Sequence, residues 1–467
     1  VALRVFVLSV CFVFSGFCGA RAESLLQALA SAYMTNPTLN AERAALRATD
    51  EEISQARSNF RPSLTGDLDA GYRNTNPKLK SGAPGSGGTH HPKALALTLN
   101  KSLFRGFRTL NAIREAEANI QSGRANLRDT EQTVLLDGVT AYMDVFRDQA
   151  IVRLRESNVR VLSEQQKATK DRFEVGEVTK TDVAQSEARR SGSVSDLSLA
   201  QSNLKTSRAA YQQIIGHPPS SLIEPQSIEG LLPRGLQGAL GISGAENPNI
   251  VSALFAEEAS RYAIKQIIGE MLPELSVEAT ISDSFEPSIS LEQESERRIT
   301  GRLRVPLYTR GEPSSRARQA RQVNWQRRRE IDEARAQANA DVIAAWGRLI
   351  SARAQIISDQ EQVRANKIAL NGVKEEEKVG QRTLLDVLDA EQELLDSQVA
   401  LVSTQRDRVV AAFTLLAAIG RLDAHFLRLP VQFYDPMAYY DKIKHKLFGT
   451  YADRAEREQF KQINGRR

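Results

Sequence analysis

Cysteine is nearly absent from this sequence: the 467 residues contain two, Cys11 and Cys18. Beyond residue 18 the chain can therefore form neither a disulfide nor a thiolate site. Long apolar runs are also missing after the N-terminal segment, where none reaches the roughly 18 to 20 residues of a membrane helix. The formal charge of +5 is small, and no compact basic domain stands out, so we expect no nucleic-acid partner.

The N-terminal segment has the pattern of a secretory signal peptide. Arg4 precedes an apolar run over 5–14, and Ala-Arg-Ala at 20–22 is a small-residue cleavage pattern. We expect residues 1–22 to be the signal peptide. The bulky residue before Cys18 argues against a lipoprotein site there.

The sequence repeats itself at an offset of 204 residues (380 − 176 = 204). The matching pairs are Val175-Gly176 with Val379-Gly380, Asp182 with Asp386, and Gly216 with Gly420. An internal duplication of this length indicates one structural unit built twice. We therefore divide the chain into a first repeat, 23–235, a second repeat, 236–430, and a C-terminal tail, 431–467. The tail is basic and aromatic, has no counterpart in the duplication, and is either wrapped along the outside of the protein or disordered.

Four segments alternate between apolar and polar residues with the period of a strand. They lie at 62–72, 93–104, 273–284 and 298–308. One such segment alone suits an ordinary half-buried sheet, but strands of about 10 residues with one apolar face are typical of membrane barrels. Two matched pairs behind a signal peptide favour the barrel. The loop of the first pair, 73–92, is rich in Gly, Ser, Asn and Pro, and the loop of the second pair, 283–296, is acidic.

Most of the remaining sequence has a helical pattern. Proline-free stretches at 108–174 and 314–377 predict two helices of about 100 Å each. A further long helix follows each Val-Gly pair, at 181–215 and 383–419, with apolar residues at coiled-coil spacing. The glycines Gly176 and Gly380 predict tight reversals between antiparallel helices. Shorter helical regions are expected at 25–60 and 249–271.

Four strands cannot close a barrel alone. Bacterial barrels need at least about eight strands, and sheet edges are not tolerated in lipid. A cyclic trimer or a dimer would each supply enough strands, so closure alone leaves both assemblies open.

Together these features resemble the TolC-type outer membrane factor family over roughly residues 23–430. The resemblance is carried by the two Val-Gly turns and by three motifs: Leu103-Phe104-Arg105-Gly106-Phe107, Pro306-Leu307-Tyr308-Thr309-Arg310-Gly311 and Leu385-Asp386-Val387-Leu388-Asp389-Ala390. It implies a mainly α fold with a membrane β-barrel, in which duplicated long helical hairpins form a periplasmic tunnel. Four strands per chain would then contribute to a 12-stranded barrel of a homotrimer. The sequence departs from the family at Ser102, where proline is usual.

The resemblance also implies the function and the partners. The protein would be the outer membrane channel, or exit duct, of a tripartite efflux pump or a type I secretion system of a Gram-negative bacterium. Transport would be passive, without enzyme activity, and the cargo would be chosen by the transporter. The expected partners are a periplasmic adaptor (membrane fusion) protein, an inner-membrane transporter and outer membrane lipid. The alternative from another class is a secreted periplasmic coiled-coil scaffold without channel activity.

An acidic stripe follows the second Val-Gly turn. Its members are spaced 3, 4 and 3 residues apart on one helix face: Asp386, Asp389, Glu393 and Asp396. Position 189, which corresponds to Glu393 in the first repeat, is an arginine, so the stripe exists in one repeat only. A solvated helix face would explain the stripe, but three copies around an axis would form carboxylate rings that favour cations. The resemblance implies that Asp386 and Asp389 constrict the periplasmic aperture.

The resemblance further implies a gate latch between neighbouring helix pairs, with Arg382 on one side and Thr181 and Asp182 on the other. A guanidinium offers several directional donors to such partners. The family often has a tyrosine where this chain has Glu377, which would repel Asp182 and leave the latch weaker or differently wired. The residues of the two turns, Val175, Gly176, Val379 and Gly380, are the expected adaptor contacts, or else turns alone.

Other motifs predict no catalytic, cofactor or metal site. His90-His91 offers too few ligands for a metal ion, and the glycine-rich stretch 82–88 lacks the Lys and Ser/Thr of a phosphate loop. The densest arginine cluster, 316–329, opens a long helix next to a strand and suits a solvated or headgroup-facing patch better than nucleic acid.

Overall fold

The computed structural model describes residues 23–77, 80 and 87–464. The expected signal peptide, 1–22, lies outside the described residues, as do most of the tip of the first strand-pair loop and the three C-terminal residues. The helices are α1 (Leu25–Thr35), α2 (Pro37–Ser58), α3 (Arg108–Glu174), α4 (Lys180–Ile215), α5 (Leu236–Glu246), α6 (Pro248–Gly269), α7 (Glu312–Lys378), α8 (Leu384–Ala418), α9 (Ala438–Ile443) and α10 (Arg454–Asn464). The strands are β1 (Ser63–Ala70), β2 (Arg73–Thr75), β3 (Gly88–His90), β4 (Lys93–Arg105), β5 (Glu274–Ser288) and β6 (Leu291–Arg304).

Two long helical hairpins dominate the structure, one from each repeat, which confirms the predicted duplication of the fold. Helices α3 and α7 have 67 residues each, so each is about 100 Å long. Helices α4 and α8, with 36 and 35 residues, return beside the half of α3 and α7 that is remote from the strands. The other half of α3 packs on α2 and α6, and α6 also packs on α7. Within the described ranges, no helix has the length and hydropathy needed to cross a bilayer.

The helical region predicted at 25–60 is two helices, because Asn36 and Pro37 interrupt it. A residue before proline is disfavoured in the α region, and Asn36 has an extended backbone with φ −60° and ψ 125°. Its side-chain oxygen accepts a hydrogen bond from the Thr38 amide at 2.9 Å, which caps α2. Asn247 caps α6 in the same way through the Asn249 amide at 3.0 Å. The two repeats therefore share these N-terminal asparagine caps as well as their helices.

The four long strands form one antiparallel sheet in the order β1-β4-β5-β6. The β4–β5 ladder joins the two repeats, so β1 and β6 are the edges of the sheet. The predicted acidic loop at 283–296 is wrong, because β5 and β6 continue through it to a tight turn at Ile289 and Ser290. Strand ladders need only main-chain hydrogen bonds, so pairing continues where both faces are polar.

The fourth strand runs from Leu291 to Arg304, whereas 298–308 was predicted. Pro306 lacks the amide that a ladder needs and is disfavoured within a strand, so the strand stops before it. One face of the sheet carries exposed apolar side chains in register, such as Leu64 opposite Leu99, and Ile299 of β6 is exposed opposite the half-buried Ala279 of β5. The exposed fraction reaches 82% at Leu68 and 81% at Ile299. An apolar face this open to solvent in a single chain requires another environment, since water disfavours a contiguous apolar patch.

The largest hydrophobic core lies where α1 and α5 pack on the long hairpins, away from both the strands and the hairpin turns. Its fully buried members include Leu29, Tyr142, Tyr211, Phe413 and Leu416. Near the turns the buried apolar contact shrinks to a cluster of Leu162, Leu384 and Leu388. The hairpin ends are therefore held together by much less apolar burial than the middle of the protein.

The C-terminal tail packs along α2 toward the base of the strands. We call residues 434–446 the tail strap. Its contacts with α1, α2 and the segment that follows α2 occur in the same order in both partners: Tyr33 with Tyr434, Glu51 with Tyr439, Ser54 with Ile443, Arg57 with Lys444 and Arg61 with Lys446. The strap and α2 thus run parallel.

Candidate functional site at the hairpin turns

The two hairpin turns have the same backbone geometry. Gly176 and Gly380 have φ values of 80° and 76°, which glycine adopts without steric cost. Each turn closes the preceding helix with two backbone hydrogen bonds at 2.9–3.0 Å, in which the glycine amide and the following amide donate back into the helix. This is the Schellman pattern of helix ends. The preceding valines, Val175 and Val379, are 72% and 70% exposed, so each turn presents one apolar side chain to its surroundings.

A capping box begins each return helix. Thr179 accepts a hydrogen bond from the Asp182 amide, and the Asp182 carboxylate accepts from the amide and hydroxyl of Thr179 at 2.8 Å each. Thr383 and Asp386 repeat the arrangement, with the carboxylate accepting at 2.9 and 2.8 Å. These hydrogen bonds, with the nearby Arg382 charge, lower the pKa of Asp386. Asp386 therefore stabilises the start of α8 and carries a negative charge at neutral pH.

The other three members of the acidic stripe have separate environments. The Asp389 carboxylate pairs with the Arg189 guanidinium across the seam between α4 and α8. Asp396 accepts from Gln392 at 3.0 Å and lies 4.0 Å from Arg155 on α3. Glu393 is exposed. The four residues thus lie on one face of α8, as predicted. Two of the four carboxylates, however, have an arginine of the first repeat within 4.0 Å.

The predicted latch residues are not paired with one another within the described chain. Arg382 donates to Glu376 at 2.9 Å within its own turn, and Asp182 is engaged in its capping box. Glu377 is paired too: Arg172 donates to it at 2.8 Å and also to Glu177 at 3.3 Å. Arg172 therefore links the two turns, and Glu377 faces a cation rather than Asp182.

The seam between the two hairpin ends is consequently polar and thin. It contains the Arg172–Glu377 and Arg189–Asp389 ion pairs and the cluster of Leu162 with two leucines of α8. A groove of about 540 Å³ lies along it, lined by both polar and apolar side chains of α3, α4 and α8. Partly exposed ion pairs contribute only about 0.2 to 1 kcal/mol each. Such a seam can separate at low cost while both hairpins remain intact.

Sequence reasoning missed Arg172 and Arg189. Arg189 had a detectable signal, because it is the one cation at a position equivalent to an acidic residue of the stripe. Arg172 had none, since its role depends on which faces of α3 and α7 meet. Within the described ranges, no group of three or more His, Cys, Asp or Glu is arranged to hold a metal ion.

The sequence matches the family described as "Outer membrane efflux protein" at residues 28–217 and 241–421. It is 37% identical over 432 residues to the outer membrane efflux protein BepC of Brucella suis biovar 1 (strain 1330), covering 92% of each chain. It is 25% identical over 417 residues to the outer membrane protein TolC of Vibrio cholerae serotype O1, covering 86% of this chain and 91% of TolC.

The fold is similar to that of a solved outer membrane channel, CmeC of Campylobacter jejuni. The TM-score is 0.79 at 16% identity, over 90% of this chain and 89% of CmeC. At this identity the likeness concerns the fold alone. The hairpin turns, capping boxes and four-stranded sheet described above thus belong to a fold that an outer membrane channel also uses.

Proposed function

The chain belongs to the outer membrane efflux protein family, and from this premise we propose that it is the exit duct of a tripartite efflux pump or type I secretion system. In this proposal, substrate passes through the assembled tunnel without chemical change, and the partner transporter supplies the energy. The alternative of a secreted periplasmic coiled-coil scaffold without channel activity has less support, since the relatives are outer membrane proteins.

The observation that carries the proposal is the four-stranded sheet with its two open edges. β1 and β6 each pair on one side only in the single chain, and an unpaired edge in lipid would leave its main-chain groups without partners. Three copies would join β6 of one chain to β1 of the next and close 12 strands, within the range of bacterial barrels. The exposed apolar face would then meet lipid. Each repeat, 23–235 and 236–430, would supply two strands and one hairpin.

We place the gate at the hairpin turns. Three copies of Asp386 and Asp389 would line the periplasmic aperture, and Arg382 would reach Thr181 and Asp182 across an interface that a single chain does not contain. The thin seam supports this placement, because it lets one hairpin move against the other. The exposed Val175 and Val379 at the turns are suited to contact an adaptor protein, which would bring the inner-membrane transporter.

Ion selectivity in planar bilayers tests the aperture. Asp389→Asn removes one carboxylate per chain without touching a helix cap, so we expect a channel that is less cation-selective than the wild type. The control is Glu375→Gln, which neutralises a carboxylate 72% exposed near the same turn but outside the acidic stripe. Unchanged selectivity in Asp389→Asn would move the constriction elsewhere. Well-folded protein without channel activity would contradict the duct itself.

A further inference from the structure

The tail strap delivers an exposed apolar pair to the base of the strands. Lys446 accepts a hydrogen bond from Arg61 at 2.6 Å through its main-chain oxygen, and Arg61 lies two residues before β1 begins at Ser63. Two residues span at most about 7 Å. Leu447 and Phe448 follow directly and are 70% and 86% exposed. They therefore lie beside the helical end of the strands.

The strap is fixed firmly enough to hold this pair in place. Ile443 is fully buried in a cluster with Ile53, Ala116 and Ile120 of α2 and α3. The Tyr439 hydroxyl donates to Glu51 at 2.9 Å. A segment held by a buried side chain only a few residues away has little freedom to turn Leu447 and Phe448 away from the strands.

The apolar pair continues the apolar surface of the sheet. Phe60 and Leu64, at the start of β1, are 50% and 63% exposed, and Arg61, between them in sequence, holds the strap. Leucine and phenylalanine side chains next to a lipid-facing strand are suited to the membrane interface, where interfacial segments bury Trp, Phe and Leu side chains.

Cationic side chains also lie at the base of the strands. Arg61, Lys101 and Lys446 each donate to a main-chain carbonyl oxygen, of Lys446, Phe60 and Ala452 respectively. Their hydrogen-bond partners are carbonyl groups rather than carboxylates, and the Glu51 and Glu456 carboxylates that line the same groove as Arg61 and Lys446 accept from Tyr439 and Ala452. A group of lysine and arginine charges beside an apolar anchor attracts an anionic lipid surface.

We propose that residues 446–448 form a membrane-surface anchor that binds anionic phospholipid headgroups of the leaflet next to the helices. Leu447 and Phe448 enter the interfacial layer, and Lys446, Arg61 and Lys101 contact the headgroups. The tail strap then ties α2 to the membrane at the point where helices give way to strands. The anchor rests on the proposed function, in which the strands lie in the membrane.

A fluorescent reporter tests the anchor in the chain expected after signal-peptide cleavage, residues 23–467. Residues 23–467 contain no cysteine, so Phe448→Cys introduces a single labelling site for an environment-sensitive fluorophore. The protein is placed in nanodiscs of phosphatidylcholine with or without phosphatidylglycerol, and quenching is measured with phospholipids spin-labelled near the headgroup, for position 448, and in the acyl chain, for position 68. Leu68→Cys, on the lipid-facing side of β1, is the positive reference, and Val175→Cys, at a hairpin turn, is the negative reference.

The expected result is a loss of fluorescence at position 448 that approaches the loss at 68, increases with phosphatidylglycerol, and is absent at 175. Quenching at 68 but not at 448 would overturn the anchor and leave the proposed function standing. An unquenched reporter at 68 would instead contradict the membrane position of the strands. Quenching at 448 that ignores phosphatidylglycerol would overturn the assignment of an anionic surface. A reporter at 448 that is shielded from water without lipid quenching would indicate a contact between copies of the chain.

Discussion

The side chain of Asp50, on α2, lies in an environment that disfavours its negative charge. Its side chain has 0% exposure, and neither carboxylate oxygen has a hydrogen-bond partner. Burial raises the pKa of Asp50 from 3.8 to about 6, against the opposing effect of the Arg124 charge, and the neighbouring Glu51 adds to the rise. Tyr434 of the tail strap also lies close enough to interact with the Asp50 charge.

The direction of the pH effect follows from this raised pKa. The folded protein keeps a proton that the unfolded chain releases between pH 3.8 and about 6. The contribution of Asp50 to stability is therefore greatest at low pH, falls as the pH rises through this interval, and is fully lost above it. A rise of about two pKa units corresponds to about 3 kcal/mol at neutral pH.

Replacing Asp50 by asparagine removes the charge and keeps the shape. The new amide also lacks partners, which costs about 1 to 2 kcal/mol, so we expect Asp50→Asn to stabilise the protein by about 1 to 2 kcal/mol at pH 8. Below pH 4 the wild-type carboxyl is already neutral, and the gain should vanish or reverse. The measurement is the denaturant midpoint of detergent-solubilised protein, followed by circular dichroism from pH 4 to pH 8.

The matched control is Asp341→Asn, which alters an exposed aspartate on α7 that accepts one surface hydrogen bond at 2.9 Å. Its effect should be within about 0.5 kcal/mol, as for most surface substitutions. Two results would refute the reasoning: Asp50→Asn less stable than the wild type at pH 8, or a stability difference between the two that does not change with pH.

Three further predictions concern the strand base and the turns. Gly106→Ala should sharply reduce the yield of folded oligomer in outer membrane fractions, because φ is 59° and a Cβ would lie 2.2 Å from the Gly269 oxygen; a normal yield would contradict this packing. Arg172→Gln should raise the open probability in planar bilayers by up to about tenfold, since three ion pairs of about 0.5 kcal/mol each would be lost per trimer; unchanged gating would show that this link does not restrain the turns. Val175→Asp with Val379→Asp should weaken co-purification with the adaptor while oligomer yield stays normal, and undiminished co-purification would exclude these valines as adaptor contacts.

Local sequence patterns predicted most elements because each depends on a short-range rule. The bounds of α3 match the prediction at both ends, since no proline interrupts it and a Val-Gly turn ends it. The strands at 63–70 and 93–105 follow apolar alternation. The Asn-Pro pair that divides α1 from α2 is also present in the sequence, but the prediction gave one helical region at 25–60 and did not divide it.

Elements whose ends or positions depend on contacts with distant parts of the chain were harder to predict. The acidic stretch at 292–296 contains no apolar residue, so it gave no strand signal, although its main chain pairs with β5. The exposed apolar pair Leu447 and Phe448 is visible in the sequence, but its position beside the strands depends on how the strap packs on α2.

By itself, the sequence determined the duplication, the long helices, the glycine turns and the acidic stripe, because helix length, backbone reversal and side-chain periodicity are local properties. Only the tertiary structure decided that Arg189 meets Asp389, that Arg172 links the two turns, and that β4 pairs with β5 across the repeats. These contacts join residues up to 205 positions apart. They depend on which faces of two hairpins are brought together, and packing of the whole chain sets that choice.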